Sequence, residues 1–232
     1  MRLSLVAVLA GLSASASAFE RSPVLAELFT SQSCSSCPPA EALFSELAER
    51  DDLVVLEWHV DYWNRLVHGG DGRWQDPFSD PAFTERQRRY NQNIRKTRRV
   101  YTPQAVVAGE LEAVGSRPRD VGALIRRAPR PEGSLTVEAT GEGFSVRAES
   151  EEPAELWLVR FDRRQSTDVL GGENKGRTLA SRHVVRSFEL LSEASSERTA
   201  TAEKPGRGEG CAVLLQKPGQ GEVLGARYCQ SR

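Results

Sequence analysis

Two of the four cysteines in this chain, Cys34 and Cys37, are spaced for chemistry. They lie in Ser31-Gln-Ser-Cys-Ser-Ser-Cys-Pro-Pro39, between an apolar run from Val24 to Phe29 and a segment whose apolar residues repeat at helical spacing. Two thiols three positions apart, where a strand turns into a helix N-terminus, can close a small disulfide, and the helix dipole there favours thiolate over thiol. The chemistry implied is thiol–disulfide exchange, in which one sulfur enters a mixed disulfide and the other resolves it. Cys34, on the loop side, reads as the more exposed, attacking sulfur. Cys37, against Pro38, reads as the resolving one. Half of a zinc site and a structural disulfide are the rival readings of the isolated pattern.

Other residues can support that chemistry. Glu27 interrupts an otherwise apolar run, and is either a carboxylate reaching solvent or a buried acid exchanging protons with the inner thiol. His59 and Asp61 follow a second apolar run, together with Tyr62 and Trp63. His59 can steady a thiolate or shuttle protons, with Asp61 orienting it; the plainer reading is a satisfied core histidine and a turn-capping aspartate. A copper or other soft-metal carrier built on Cys34, Cys37 and His59 is an alternative, because thiolates with imidazole suit such ions. The remaining cysteines, Cys211 and Cys229, flank the turn Pro218-Gly-Gln-Gly221 symmetrically. They are expected to face each other across two strands as a structural disulfide.

The elements that must position these residues follow from periodicity. Val24 to Phe29 and Leu53 to Val60 are nearly continuous apolar runs, which suits central strands covered on both faces. Between them Pro38, Glu41, Ala40, Leu43, Phe44, Leu47 and Ala48 mark a helix with one apolar stripe, although Pro38 biases Cys37 away from helical angles. Strand, helix, strand implies a parallel pair whose carboxyl ends share one rim, bringing His59, Asp61 and Trp63 near the cysteines. Asn64 to Asp80 is a long polar connection of the kind used for lids and binding, without the ordered spacing of a calcium loop. A strongly basic helix capped by Asp80 runs through Ile94. Tyr101-Thr-Pro-Gln104 opens a hairpin, and Asp120 to Arg127 forms a last short helix.

Composition and targeting narrow the function classes. The 232 residues are 39% hydrophobic and 27% charged, with a formal net charge of −1, ordinary for a globular chain. Residues 1 to 18 resemble a signal peptide, with Arg2, the apolar run Leu3 to Leu12 and Ala16-Ser-Ala18 as a cleavage site. Its removal leaves a formal charge of −2, from −1 less the one charge of Arg2. Near-neutrality argues against nucleic acid, and no later run is long enough to anchor the chain in a membrane. A periplasmic or secreted location permits disulfides.

In order, residues 24 to 127 give strand, Cys-x-x-Cys, helix, strand, helix, Thr-Pro, strand, strand, helix, which resembles a minimal thioredoxin fold. The resemblance implies a cis Pro103 facing the cysteines, with Thr102 and Pro103 offering backbone groups to the substrate. It places Glu27 near the buried acid of thioredoxins. Glu27 to Ala40, His59-Val-Asp-Tyr-Trp63, Val100-Tyr-Thr-Pro-Gln104 and Gly172-Glu-Asn-Lys-Gly-Arg-Thr-Leu179 are similar to stretches of the exported thioredoxin-like proteins grouped as domain-of-unknown-function family 1223. Ser33 stands where that pattern leads one to expect glycine, and Asn64 to Gly72 looks altered.

After Pro129-Arg-Pro-Glu-Gly133 the pattern changes to short alternating strands. This predicts a thioredoxin-like domain at 19–128 and a smaller, β-rich, sandwich-like domain at 129–232. Its strands are expected at 134–139, 144–148, 155–161, 183–190, 212–216 and 222–228, with Gly171 to Gly176 a structural loop and Ser192 to Lys204 a polar, mobile stretch. The function expected is thiol–disulfide exchange with a protein or small-molecule partner and no cofactor. Cys34, Cys37, Glu27 and His59 are its catalytic candidates, and Thr102, Pro103, Asp61 and Trp63 its substrate-side ones. A non-catalytic binding module stapled by the disulfide is the second alternative.

Overall fold

The computed structural model describes residues 22–66, 74–194 and 198–230. The signal-type segment at residues 1 to 18 and part of the Asn64 to Gly72 stretch lie outside the described residues. Strands β1 (Val24–Thr30) and β2 (Leu53–His59) pair in parallel and are buried along their whole length. Helix α1 (Pro38–Leu47) connects them. Short α2 (Trp63–Leu66) and long α3 (Pro81–Arg95) follow, the latter capped by the Asp80 side chain, which accepts from the Ala82 N–H. Strands β3 (Gln104–Val107) and β4 (Leu111–Val114) then extend the sheet beyond β1, and α4 (Pro118–Arg127) packs back on it.

Strand alternation sorts the side chains between two layers. Ala26 and Leu28 of β1, with Leu53 and Val55 of β2, face α1 and α4 in one core that includes Phe44 and Leu124. Leu25 and Phe29, with Val54, Leu56 and Trp58, face the opposite way into a second core with Phe83 and Tyr90 of α3.

The second half consists of β5 (Ser134–Ala139), β6 (Gly143–Glu149), β7 (Ala154–Asp168), β8 (Thr178–Ala194), β9 (Arg198–Glu203), β10 (Glu209–Gln216) and β11 (Val223–Tyr228). Four of these strands continue the first-half sheet, giving the order β11-β10-β7-β8-β2-β1-β3-β4. The join is narrow: Glu57 opposite Val184 is its one parallel register pair. The remaining strands form a small sheet, β5-β6-β9, which packs Leu135, Phe144 and Val146 against Leu156, Leu158, Val213 and Leu215. The expected sandwich is therefore corrected: two layers exist, but the larger one belongs to the same sheet as β1 and β2. The second core likewise crosses residue 128, since Phe161, Val185, Leu214 and Val223 pack with Leu25, Phe29 and Trp58.

Two local expectations also change. Arg198–Glu203, read as mobile, is a strand antiparallel to β6. Its Thr-Ala-Thr-Ala alternation puts Ala200 and Ala202 on the core face. Strands β7 and β8 run well past the expected ends as a ribbon, with Asp162 to Asp168 paired to Thr178 to Val184. Cross-strand hydrogen bonds sustain this polar extension where side-chain patterning gives no signal, and the ribbon carries its connecting loop back to the β1–α1 junction.

Candidate functional site

Cys34 and Cys37 form a disulfide with Cα atoms 5.4 Å apart. Cys37 is the N-cap of α1, at φ −81° and ψ −38°. The Pro38 bias against helical angles is overridden by the Ala40 and Glu41 N–H groups, both of which donate to the Cys37 carbonyl. Cys34 Sγ lies 3.2 Å from Ser36 Oγ. Ser35 and Ser36 are exposed. Both cysteines are 0% exposed, which corrects the expectation that Cys34 is the open sulfur.

A loop from the second half of the chain bonds to the motif. The loop between β7 and β8 sets Gly172, Glu173 and Asn174 on the motif. The Glu173 N–H donates to the Ser33 carbonyl at 3.0 Å. Its carboxylate accepts from Ser35 N at 2.9 Å and from Ser35 Oγ at 2.6 Å, and these bonds hold its pKa below the usual carboxylate range. The buried Asn174 side chain donates to the carbonyls of Gln32 at 3.0 Å and Cys34 at 2.8 Å. Gly172, at φ +71°, comes so close to Ser33 that a Cβ would sit 2.7 Å from the Ser33 Cβ. Only glycine permits that approach.

Beneath the motif, on the α1 side of the sheet, lies a cluster of buried ionisable groups. His59 is fully buried, with Nε2 2.9 Å from Glu57 and Nδ1 2.8 Å from Asp76. Burial alone would lower its pKa, but the Asp76 charge and the hydrogen bonds to both acids hold it well above the ordinary value, as an imidazolium donating to both. Burial pushes Asp76 up, and the His59 charge together with the hydrogen bonds from His59 and from the Gln32 and Phe78 N–H groups more than offsets this, so its pKa is lowered. Asp76 also accepts from the Gln32 N–H, two residues before Cys34. Glu41, one turn after Cys37 in α1, accepts from Thr30 Oγ1 at 2.7 Å. Burial, followed by the Glu57 charge, pushes Glu41 up to about 8, which favours its protonated form.

Glu27 does not underlie the cysteines. Alternation along β1 turns it to the α3 face, where it accepts from Arg86 Nε at 2.8 Å and from Tyr90 Oη at 2.5 Å. Arg86 lies beside the Trp58 ring, so this residue of the basic helix belongs to the core. Asp61 accepts from Thr84 Oγ1 and pairs with Arg65; the groups that orient His59 are Glu57 and Asp76. Trp63 Nε1 donates to Thr102 Oγ1 at 2.7 Å, and the Thr102–Pro103 bond is cis. Cys211 and Cys229 form a disulfide between β10 and the end of β11, far along the sheet.

Glu41, Glu57, Asp76, Glu173 and Asn174 were not singled out from the sequence. Glu41 had a usable signal, four residues after Cys37 on a helix. So did Glu57, two residues before His59 on a strand and hence on the same face. Asp76 arrives from a distant loop and gave none. The Glu173–Asn174 pair lies in the Gly172 to Leu179 stretch that carries the family resemblance, but was read there as part of a structural loop with no role at the cysteines.

A family model described as "Protein of unknown function (DUF1223)" matches residues 25–216. The crystal structure of protein AGR_C_4864 from Agrobacterium tumefaciens is similar at 27% identity and a TM-score of 0.74, covering 92% of this chain and 97% of that one. HBP35 of Porphyromonas gingivalis shares the fold at 13% identity and a TM-score of 0.59, over 90% of this chain and 74% of that one. No curated protein matches the sequence.

Proposed function

The chain belongs to the DUF1223 family of proteins of unknown function, and from its geometry we propose an exported, thioredoxin-like thiol–disulfide oxidoreductase acting through Cys34 and Cys37. The observation that carries this reading is the buried Glu41 carboxyl one helical turn after Cys37, in a cluster with Glu57, His59 and Asp76, where burial raises its pKa. A disulfide that only staples a binding module needs no proton donor, and burying four ionisable groups costs stability. Exchange does need one, because the departing sulfur leaves as a thiolate.

In the proposed reaction a partner thiolate attacks Cys34 Sγ, and the Cys34–Cys37 bond breaks as the mixed disulfide forms. The electron pair leaves on Cys37, which takes the Glu41 proton. A second thiolate of the partner then attacks the partner sulfur of the mixed disulfide, so the partner leaves oxidised and Cys34 leaves as a thiolate. In the opposite direction the Cys34 thiolate opens a partner disulfide. Cys37, its proton passed to Glu41, then attacks Cys34 Sγ, restores the internal disulfide and releases the reduced partner. Trp63, Thr102 and Pro103 form the proposed substrate side, with Asp61 at its border. The partner is a protein or small-molecule thiol or disulfide, and the location is periplasmic or secreted; among the described residues no helix is long and apolar enough to cross a membrane. A soft-metal site would need a free His59 nitrogen beside the sulfurs, and both nitrogens are held by carboxylates.

Trapping with oxidised glutathione tests the reading. Reduced Cys37→Ser should accumulate a glutathione adduct on Cys34 that wild type resolves. An adduct that accumulates in Cys34→Ser alone reverses the two roles, and no adduct in either variant overturns the proposal.

A further inference from the structure

The disulfide proposed to react sits in a motif that is hydrogen-bonded to a part of the chain about 140 residues away in sequence. Ser35 is bonded to Glu173 across a separation of 138, and Cys34 to Asn174 across 140. The loop is built as a unit. Val169 and Arg177 bond across its base at 2.9 Å, Gly176 N returns to the Val169 carbonyl at 2.8 Å, and Arg177 fixes the Asn174 amide at 2.8 Å. Its hold on the motif is a small set of hydrogen bonds, to Gln32, Ser33, Cys34 and Ser35, made at the end of a two-stranded ribbon. Such a loop can lift from the motif without disturbing either core, because none of its residues except Val169 is a buried apolar one.

We propose that the Val169–Arg177 loop is a lid over the Cys34–Cys37 disulfide, seated by Gly172 against Ser33 and latched by Glu173 and Asn174, and that exchange proceeds through its open state. This rests on the exchange reading of the two cysteines. With the lid seated no thiolate reaches Cys34 Sγ, since both cysteines have zero exposure. The observed reaction rate is then the open-state rate multiplied by the fraction of molecules that are open. The same arrangement gives the β-rich half a task. Its ribbon holds the Gln32 and Cys34 carbonyls, and a polypeptide partner must replace these bonds, with donors for the carbonyls and an acceptor for the Ser35 N–H.

Two glycines of the loop provide the test. Gly172→Ala drives a Cβ to 2.7 Å from the Ser33 Cβ and cannot seat. Gly176→Ala carries similar backbone strain, at φ +84°, with nothing within 4 Å of the new Cβ. Two quantities are read on each full-length protein: deuterium uptake at Ser33 to Ser36, and the rate at which dithiothreitol reduces each disulfide, followed by alkylation and peptide mapping. Uptake should rise in Gly172→Ala and stay near wild type in Gly176→Ala. Reduction of Cys34–Cys37 should accelerate at least about tenfold in Gly172→Ala, by about threefold or more in Glu173→Ala, and by less than about twofold in Gly176→Ala. The Cys211–Cys229 pair, outside the lid, is the internal clock and should keep its rate. Unchanged uptake in Gly172→Ala, or equal acceleration of both disulfides, overturns the lid. Raised uptake with a Cys34–Cys37 pair that stays oxidised leaves the moving loop standing and overturns the exchange reading instead.

Discussion

Two buried glutamates on opposite faces of the sheet have opposite uses. Glu27 is balanced by Arg86 and Tyr90. Arg86→Met leaves its carboxylate buried without a cation and should cost roughly 3–5 kcal/mol in urea unfolding. Replacing both partners, as Glu27→Leu with Arg86→Met, should recover most of that loss; failure to recover would show that the pair does more than neutralise itself. Among the described residues no cation is bonded to Glu41, and its folded pKa is raised from 4.5 to about 8. A raised pKa means that the folded state holds the proton more tightly than the unfolded one. The associated stability is therefore fully present below about 4.5 and lost as pH climbs through about 8. Glu41→Gln removes this dependence and should gain on wild type as pH rises from 5 to 9. Urea midpoints across that range that keep the wild-type slope would show that Glu41 is not the titrating group.

Among the elements, α1 and the β10–β11 hairpin each carry a disulfide, with different mechanical roles. The Cys34–Cys37 bond spans a separation of 3 at a helix start and constrains little chain. The Cys211–Cys229 bond closes a separation of 18 around a hairpin that also pairs Ala212 with Tyr228. Closing a loop of that size stabilises by about 3 kcal/mol through the unfolded chain. Cys211→Ser should lower stability by about that amount while leaving exchange at Cys34 and Cys37 in place. Guanidinium unfolding with an exchange assay on the same sample checks both; a loss of exchange in the folded variant would couple the two disulfides.

For the whole molecule, the decisive feature is a core and a lid that both cross the change in sequence pattern near residue 130. Phe161, Val185 and Leu214 share a core with Leu25, Phe29 and Trp58, so removing the second half strips the α3 face of the first. The intact chain should unfold in one calorimetric transition, and residues 19–128 expressed alone should lack a cooperative one. Two separated transitions would show halves that fold independently.

The order of elements from residue 24 to 127 and the Cys-x-x-Cys at a helix start were legible in the sequence because they are local. Apolar runs, a period of 3.6 and proline positions report on neighbours a few residues apart. The pairing of Cys211 with Cys229 was legible for the same reason, since a tight turn fixes which residues stand opposite. Which face Glu27 occupies, which acids reach His59, and what covers Cys34 are relations between distant segments. Glu27 turns away because the pleat of β1 places it with Leu25 and Phe29. His59 meets Asp76 because a loop 17 residues on folds under the motif. Glu173 reaches Ser35 because an extended polar ribbon carries it there. Hydrogen bonds between segments 17 to 138 residues apart leave no periodic trace in one chain, so only the tertiary structure decides them.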